Sequence, residues 1–228
     1  MAAAGPGSGS SGLRSGSAGA DNSPMTGQKI ADFSIKPTLI GEKVVLRPFV
    51  EDDVAALRVA LNDRELLRLT GSAHDAAAQP AAADPERDEQ FRRWRNAQPN
   101  RLDLAVADRE SGHCVGEAVL NEWDRANRSC NFRIALAAAG RDRGLGTEAV
   151  RIVVGYGFEQ LALHRISLEV YAFNPRARHV YEKAGFVAEG VMREALRYGD
   201  EWVDATAMSI LAHEWAQHRG HPQGQATG

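Results

Sequence analysis

The sequence predicts an α+β domain built round one mostly antiparallel sheet. Three observations carry that reading. Segments that alternate apolar and polar residues follow one another, with short turns between them, from Leu102 to Leu136. A long apolar helical stretch, Leu145 to Leu161, then interrupts them. A strand, a well-punctuated helix and two further strands complete the chain.

Taken in order, Val44 to Pro48 reads as a short strand ended by proline. Glu51, Asp52 and Asp53 put acids where a helix dipole favours them. Val54, Leu57, Ala60 and Leu61 then recur at helical spacing. The Ala-rich stretch Ala73 to Asp84, with Pro80, reads as a loop, and a helix follows from Glu86 to Ala97 with Phe91, Trp94 and Arg95 along it. Leu102 to Val106, Val115 to Trp123 and Ser129 to Leu136 are strands, with a turn at Asp108 to Gly112. Phe132, Ile134 and Leu136 share one face. The helix 145–161 contains Gly155 and Gly157, each costing about 1 kcal/mol against alanine. Arg165 to Tyr171 alternates Ile166, Leu168 and Val170 on one face. Asn174 is a good N-cap, Pro175 suits the first helical position, and Gly185 suits a left-handed C-cap. Phe186 and Val187 open another strand, and Trp202 to Ile210 supplies the last.

Composition narrows the function. Residues 1–35 are mostly Ala, Gly and Ser and read as a disordered tail, as do residues 217–228. Residues 36–216 form the expected domain. The net charge of -3, with both signs interspersed, argues against nucleic acid. No apolar run is long enough for a bilayer, and no secretory leader is expected. Cys114 and Cys130 have no partner spacing for zinc, so no metal is expected, and free thiols suit a cytoplasmic protein.

Arg141, Asp142, Arg143, Gly144, Leu145 and Gly146, followed by Thr147, lie between a strand and a buried helix. Glycines allow close backbone approach. Helix-start N–H groups point at an anion, and Arg141 and Arg143 add charge-assisted donors for a pyrophosphate. A P-loop needs lysine where Gly146 stands. The Rossmann fingerprint is met in letters by Gly144, Gly146 and Ala149 with Glu169 downstream. It requires a strand running straight into the first glycine, and here residues 137–143 intervene. A plain Gly-rich turn with solvated arginines remains open at this point.

These residues resemble the GCN5-related N-acetyltransferase (GNAT) superfamily, whose signature R/Q-x-x-G-x-G/A is met by Arg141, Gly144 and Gly146. A longer likeness is to its RimJ/RimL-like branch. It runs through Val45 to Pro48, Leu61 to Asp63, Gly144 to Ala149, Leu163 to Ile166, Asn174 to Ala177, Glu182 to Phe186, Glu189, Gly190, Arg193 and Asp204. The resemblance implies a mixed, mostly antiparallel sheet with a splayed middle and helices on both faces. Acetyl-CoA would lie between the strands 129–136 and 165–171. Backbone groups of Ile134, Ala135 and Leu136 would pair with pantetheine, and a bulge in that strand would offer an N–H to the thioester oxygen. Asn174, Arg178 and Lys183 would reach the donor. Many RimJ/RimL-like members have serine where this chain has Ala177, so a hydroxyl contact there is not carried over.

A thioester needs no enzyme nucleophile. The attacking amine must be neutral, with pKa about 8 for an α-amine and about 10.4 for lysine. The leaving thiolate needs a proton. By the spacing in related ribosomal alanine N-acetyltransferases, Glu169 would be the base and Tyr181 the acid. The acceptor would be a protein N-terminal α-amine or a small-molecule amine. The alternatives are an antibiotic acyltransferase using another acyl-CoA and a non-catalytic CoA-binding module. A homodimer is compatible with each.

Overall fold

In the computed structural model, which describes residues 31–61, 63–72 and 84–219, strand alternation decides which helix covers which sheet face. The chain runs β1 (Leu39–Ile40), β2 (Val44–Arg47), α1 (Glu51–Leu61), α2 (Arg64–Leu69), α3 (Pro85–Ala97), β3 (Leu102–Asp108), β4 (Cys114–Asp124), β5 (Ser129–Leu136), α4 (Leu145–Glu159), β6 (Arg165–Tyr171), α5 (Pro175–Lys183), β7 (Val187–Tyr198), β8 (Glu201–Leu211) and α6 (Ala212–His218). The strands form one sheet in the order β1-β2-β3-β4-β5-β6-β8-β7. Every neighbouring pair is antiparallel except β5 with β6. This is the mixed, mostly antiparallel sheet that the sequence predicts.

Strand β3 is buried along its whole length. Its Leu102, Leu104 and Val106 join the main core with Phe132, Val150, Val153 and Ile166. Ala105, on the opposite face, packs with Phe49 and Leu57 beside α1. Helices α4 and α5 therefore cover one face, and α1 and α3 the other. The two helix glycines belong to this packing. A Cβ on Gly155 would stand 2.8 Å from the Trp215 ring, and one on Gly157 would stand 2.9 Å from Ile166 Cδ1. Close approach of α4 to its neighbours offsets the glycine penalty.

Several expectations need correction. Phe33, expected in the loose tail, is 1% exposed and lies 5.0 Å from Trp123 between ring centroids. Lys36 Nζ fixes this entry by donating to the carbonyls of Phe33, Gln98 and Arg101. The strand opened by Val187 runs on to Tyr198 and joins β8 in a hairpin whose turn holds Gly199 at φ +61. Short elements β1 and α2 were not anticipated, and α6 carries the fold through residues 217 and 218. Each is too short for a periodic signal. The expected Ala-rich loop lies mostly outside the described residues, as do the side chains of Ala60 and Leu61.

Helix α3 is held by charge rather than by its aromatic residues. Trp94 is 49% exposed, whereas Arg95 is 7% exposed. Arg95 donates to Asp103 and, at 2.6 Å, to Glu117. Arg101 donates to the other Asp103 oxygen at 2.7 Å. Asp103 is fully buried, so removing it strands a buried guanidinium. Asp103→Ala is expected to cost about 3–5 kcal/mol in urea unfolding. A loss under about 1 kcal/mol would show that Glu117 alone satisfies Arg95.

Candidate active site

Strands β5 and β6 pair only at Ser129 with Arg165, Cys130 with Ile166 and Asn131 with Ser167. Beyond that point they diverge, although β5 runs on to Leu136 and β6 to Tyr171. A cleft of about 380 Å³ opens between them. Phe132, Arg133, Ile134 and Leu136 line one wall, and Glu169, Val170 and Tyr171 the other. The far side of β5 is paired regularly with β4 from Gly116–Leu136 to Asn121–Asn131. Alternate backbone groups of β5 on the cleft side are thereby left for a ligand. The expected bulge is not in β5. The register shift falls in β4, between Asn121 and Asp124, where Glu122 adopts φ +54.

One end of the cleft is the glycine loop. A short 3-10 turn, Ala138–Gly140, separates it from β5, and Gly144 adopts φ +82 as the N-cap of α4. No side chain caps α4, while the Glu148 N–H already bonds Gly144 O at 3.2 Å. The N–H groups of Leu145, Gly146 and Thr147 are therefore the orphans of the first turn. A Cβ on Gly146 would stand 2.9 Å from Leu136 Cδ1, inside the cleft wall. Arg141 lines the cleft and is held in place. Its Nε donates to Leu136 O and its Nη2 to Asp63 Oδ2, both at 2.9 Å. The other Asp63 oxygen caps α2 by accepting from Glu65 N at 2.9 Å. One carboxylate thus fixes both the arginine and the helix that roofs the cleft with Leu66, Leu69 and Thr70.

Tyr181 and Glu169 face the same cleft. Tyr181 is 8% exposed, packed edge-on to Phe132 at 6.3 Å and tilted against Phe186 at 5.9 Å. Burial pushes its phenol up to about 12, so the protonation that any tyrosine has at neutral pH extends here well into the alkaline range. Burial likewise raises the Cys114 thiol to about 11 and pushes the Cys130 thiol upward, so neither is a poised thiolate. Among the described residues no group of three His, Cys, Asp or Glu side chains is placed to hold a metal.

Of the expected donor contacts, the side chains of Ile134, Leu136, Arg141, Asp142, Thr147 and Asn174 line the cleft, with Gly144 and Gly146. Five side chains do not; for Ala135 and Leu145 the expected contact is through the backbone, whereas for Arg143, Arg178 and Lys183 the side chain itself lies off the lining. Arg143 turns to Asp108 at 2.8 Å and to Glu110. Leu145 is 1% exposed in the core and offers only its N–H. Ala135 is buried against Leu66 and Ala137 and does not line the cleft. Arg178 pairs with Glu182 at 2.9 Å, and Lys183 is exposed. The cleft face of α5 is the helical stripe Asn174, Ala177, Val180 and Tyr181, which leaves Arg178 off it and Lys183 in the last turn. Asn174 acts as a cap, accepting from Ala177 N at 3.1 Å and donating to Leu69 O at 3.4 Å.

Two wall residues went unread in the sequence. Arg176 spans the mouth to Asp142 at 3.0 Å, and its only signal was its place in the Asn174 to Ala177 segment. Arg133 carried none, being one polar residue in an alternating strand. Gly146→Val should push Leu136 into the cleft and weaken CoA binding at least about 10-fold by calorimetry. Asp63→Asn keeps an N-cap but loses the ion pair. A loss in CoA affinity of about 3- to 10-fold is expected there, with little change in melting temperature.

Comparison with known proteins agrees with this fold. Residues 43–187 match the family described as Acetyltransferase (GNAT) domain. Spermidine N(1)-acetyltransferase of Escherichia coli (strain K12) is 26% identical over 177 residues, 77% of this chain and 90% of that protein. YdaF of Bacillus subtilis (strain 168), provisionally assigned as a ribosomal N-acetyltransferase, is 28% identical over 139 residues, 61% of this chain and 76% of that protein. The crystal structure of spermidine N-acetyltransferase from Vibrio cholerae, in complex with CoA and spermine, superposes with a TM-score of 0.67 at 24% identity, covering 77% of this chain and 99% of that one. A GNAT acetyltransferase from Bacillus anthracis gives 0.64 at 20% identity, covering 78% and 99%. This chain belongs to the GNAT acetyltransferase family, whose enzymes use acetyl-CoA as co-substrate.

Proposed function

We propose that this enzyme moves the acetyl group of acetyl-CoA directly to the primary amine of an acceptor, most consistent with an N-terminal α-amine. One observation carries the reading. The opening between β5 and β6 joins an uncapped helix start at one end to Glu169 and a protonated Tyr181 at the other. Phosphates bind at the first, and the thioester lies between the strands. The segments shared with the RimJ/RimL-like branch support the N-terminal acceptor. The relatives named as spermidine acetyltransferases support a small-molecule amine as the second reading. Free Cys114 and Cys130 support a cytoplasmic setting.

The amine nitrogen attacks the thioester carbonyl, forming the C–N bond. Backbone N–H groups of β5 left without a strand partner stabilise the oxyanion. Glu169 takes the amine proton, directly or through water. The C–S bond then breaks, and Tyr181 gives its proton to the departing thiolate. The products are the N-acetylated acceptor and free CoA thiol.

Tyr181→Phe is expected to lower kcat about 100-fold with a small change in KM. An unchanged kcat under chemistry-limited conditions removes Tyr181 as the acid. Glu169→Gln should be most impaired at neutral pH and recover as pH rises past about 8, where an α-amine loses its own proton. The Tyr181 pKa also links to stability. A phenol whose pKa is raised on folding stabilises the fold fully below about 10, and that contribution disappears as pH rises through about 12. Melting followed from pH 9 to 12 should therefore fall more steeply for wild type than for Tyr181→Phe.

A further inference from the structure

We propose that the recess on the sheet face turned away from α4 and α5 takes an amine bearing a carbonyl or carboxylate oxygen beside it, and that Arg133 holds that oxygen. This recess of about 410 Å³ shares Thr70, Phe132, Arg133, Glu169 and Tyr171 with the donor cleft. The two cavities therefore meet across the strand opening, and a group in the recess reaches the thioester side. The inference rests on the transfer reaction proposed above and names the class of its acceptor.

The charges of the recess sort into two sets. Arg165 and Glu189 neutralise each other through a two-pronged pair, with one contact at 2.7 Å, and Ser209 Oγ bonds both. That pair is spent within the protein. Arg133, Glu169 and Glu122 have no ion-pair partner among the described residues, and all three line the recess. Arg133 and Glu169 adjoin the same phenol. Burial is the main influence on Tyr171, with Glu169 raising its pKa and Arg133 lowering it.

A free guanidinium beside a free carboxylate selects a ligand with both polarities. The ammonium of an incoming amine pairs with Glu169 before it loses its proton. An oxygen a few atoms away accepts from Arg133 in a charge-assisted bond. A polyamine satisfies Glu169 and Glu122 but brings a cation against Arg133, with no acceptor for its donors. A plain alkylamine leaves Arg133 unused. An α-amino acid and a peptide N-terminus both carry the required pair of groups.

The test compares alanine, an alanyl dipeptide amide, propylamine and spermidine as acceptors of acetyl-CoA, read by release of CoA thiol. The two aminoacyl acceptors are expected to exceed the other two in kcat/KM by about 10- to 100-fold. Arg133→Ala should collapse that ratio, and Arg133→Lys should restore part of it, with melting curves showing both variants folded. A higher value for the dipeptide amide identifies a peptide N-terminus, and a higher value for alanine identifies a free amino acid. Preference for spermidine in wild type, or an unchanged ratio in Arg133→Ala, overturns the proposal. If no acceptor is acetylated although CoA binds, the transfer reading falls by itself. The recess is then judged by calorimetry of the dipeptide amide on CoA-loaded protein. Binding weakened about 10-fold by Arg133→Ala sustains it, and absent or equal binding overturns it.

Discussion

The parting of β5 from β6 after three residue pairs governs the rest of this molecule. A sheet normally satisfies its backbone groups strand by strand, and an unpaired edge inside a sheet is costly. Here β4 holds the other edge of β5, and β8 holds the other edge of β6. The two strands can therefore separate without losing their places. The gap exposes polar backbone where a long polar ligand fits. It also divides the space into a cleft and a recess that share part of their walls.

The elements round that gap are fixed by interactions placed away from it. Glu148 accepts from the backbone N–H groups of Glu42 and Lys43, tying α4 to the turn before β2. Asp63 ties α2 to Arg141, and Asn174 ties the end of α2 to the start of α5. Arg95, Asp103, Glu117 and Arg101 lock α3 on the far face. These charges are consumed by the fold. Arg133 and Glu169 stand at the gap without such partners among the described residues, and that contrast separates charge consumed by the fold from charge that is not.

Tyr181 is held in the cleft wall by packing. Its ring packs on Phe132 and Phe186, so it helps hold α5 against the sheet. The same burial raises its phenol from an ordinary value of about 10 to about 12, which extends the range in which it stays neutral. Ring packing and a raised phenol pKa are here two consequences of one environment.

The sequence by itself determined the local elements with strong periodicity or punctuation. Strands 129–136 and 165–171 match in both bounds, and Asn174, Pro175 and Gly185 mark α5 through their cap chemistry. It also determined the glycine loop, because Gly144 and Gly146 meet backbone demands that act within a few residues. The tertiary structure alone decided which charges are free. Arg141 and Arg143 read alike in the chain, yet one lines the cleft beside Asp63 and the other turns to Asp108. Arg133 and Arg165 both stand on alternating strands, yet among the described residues only Arg165 meets a carboxylate. Partners such as Asp63, Asp108 and Glu189 lie tens of residues away in sequence. Periodicity and capping describe forces between near neighbours, whereas pairing between distant side chains exists only once the sheet has brought them together.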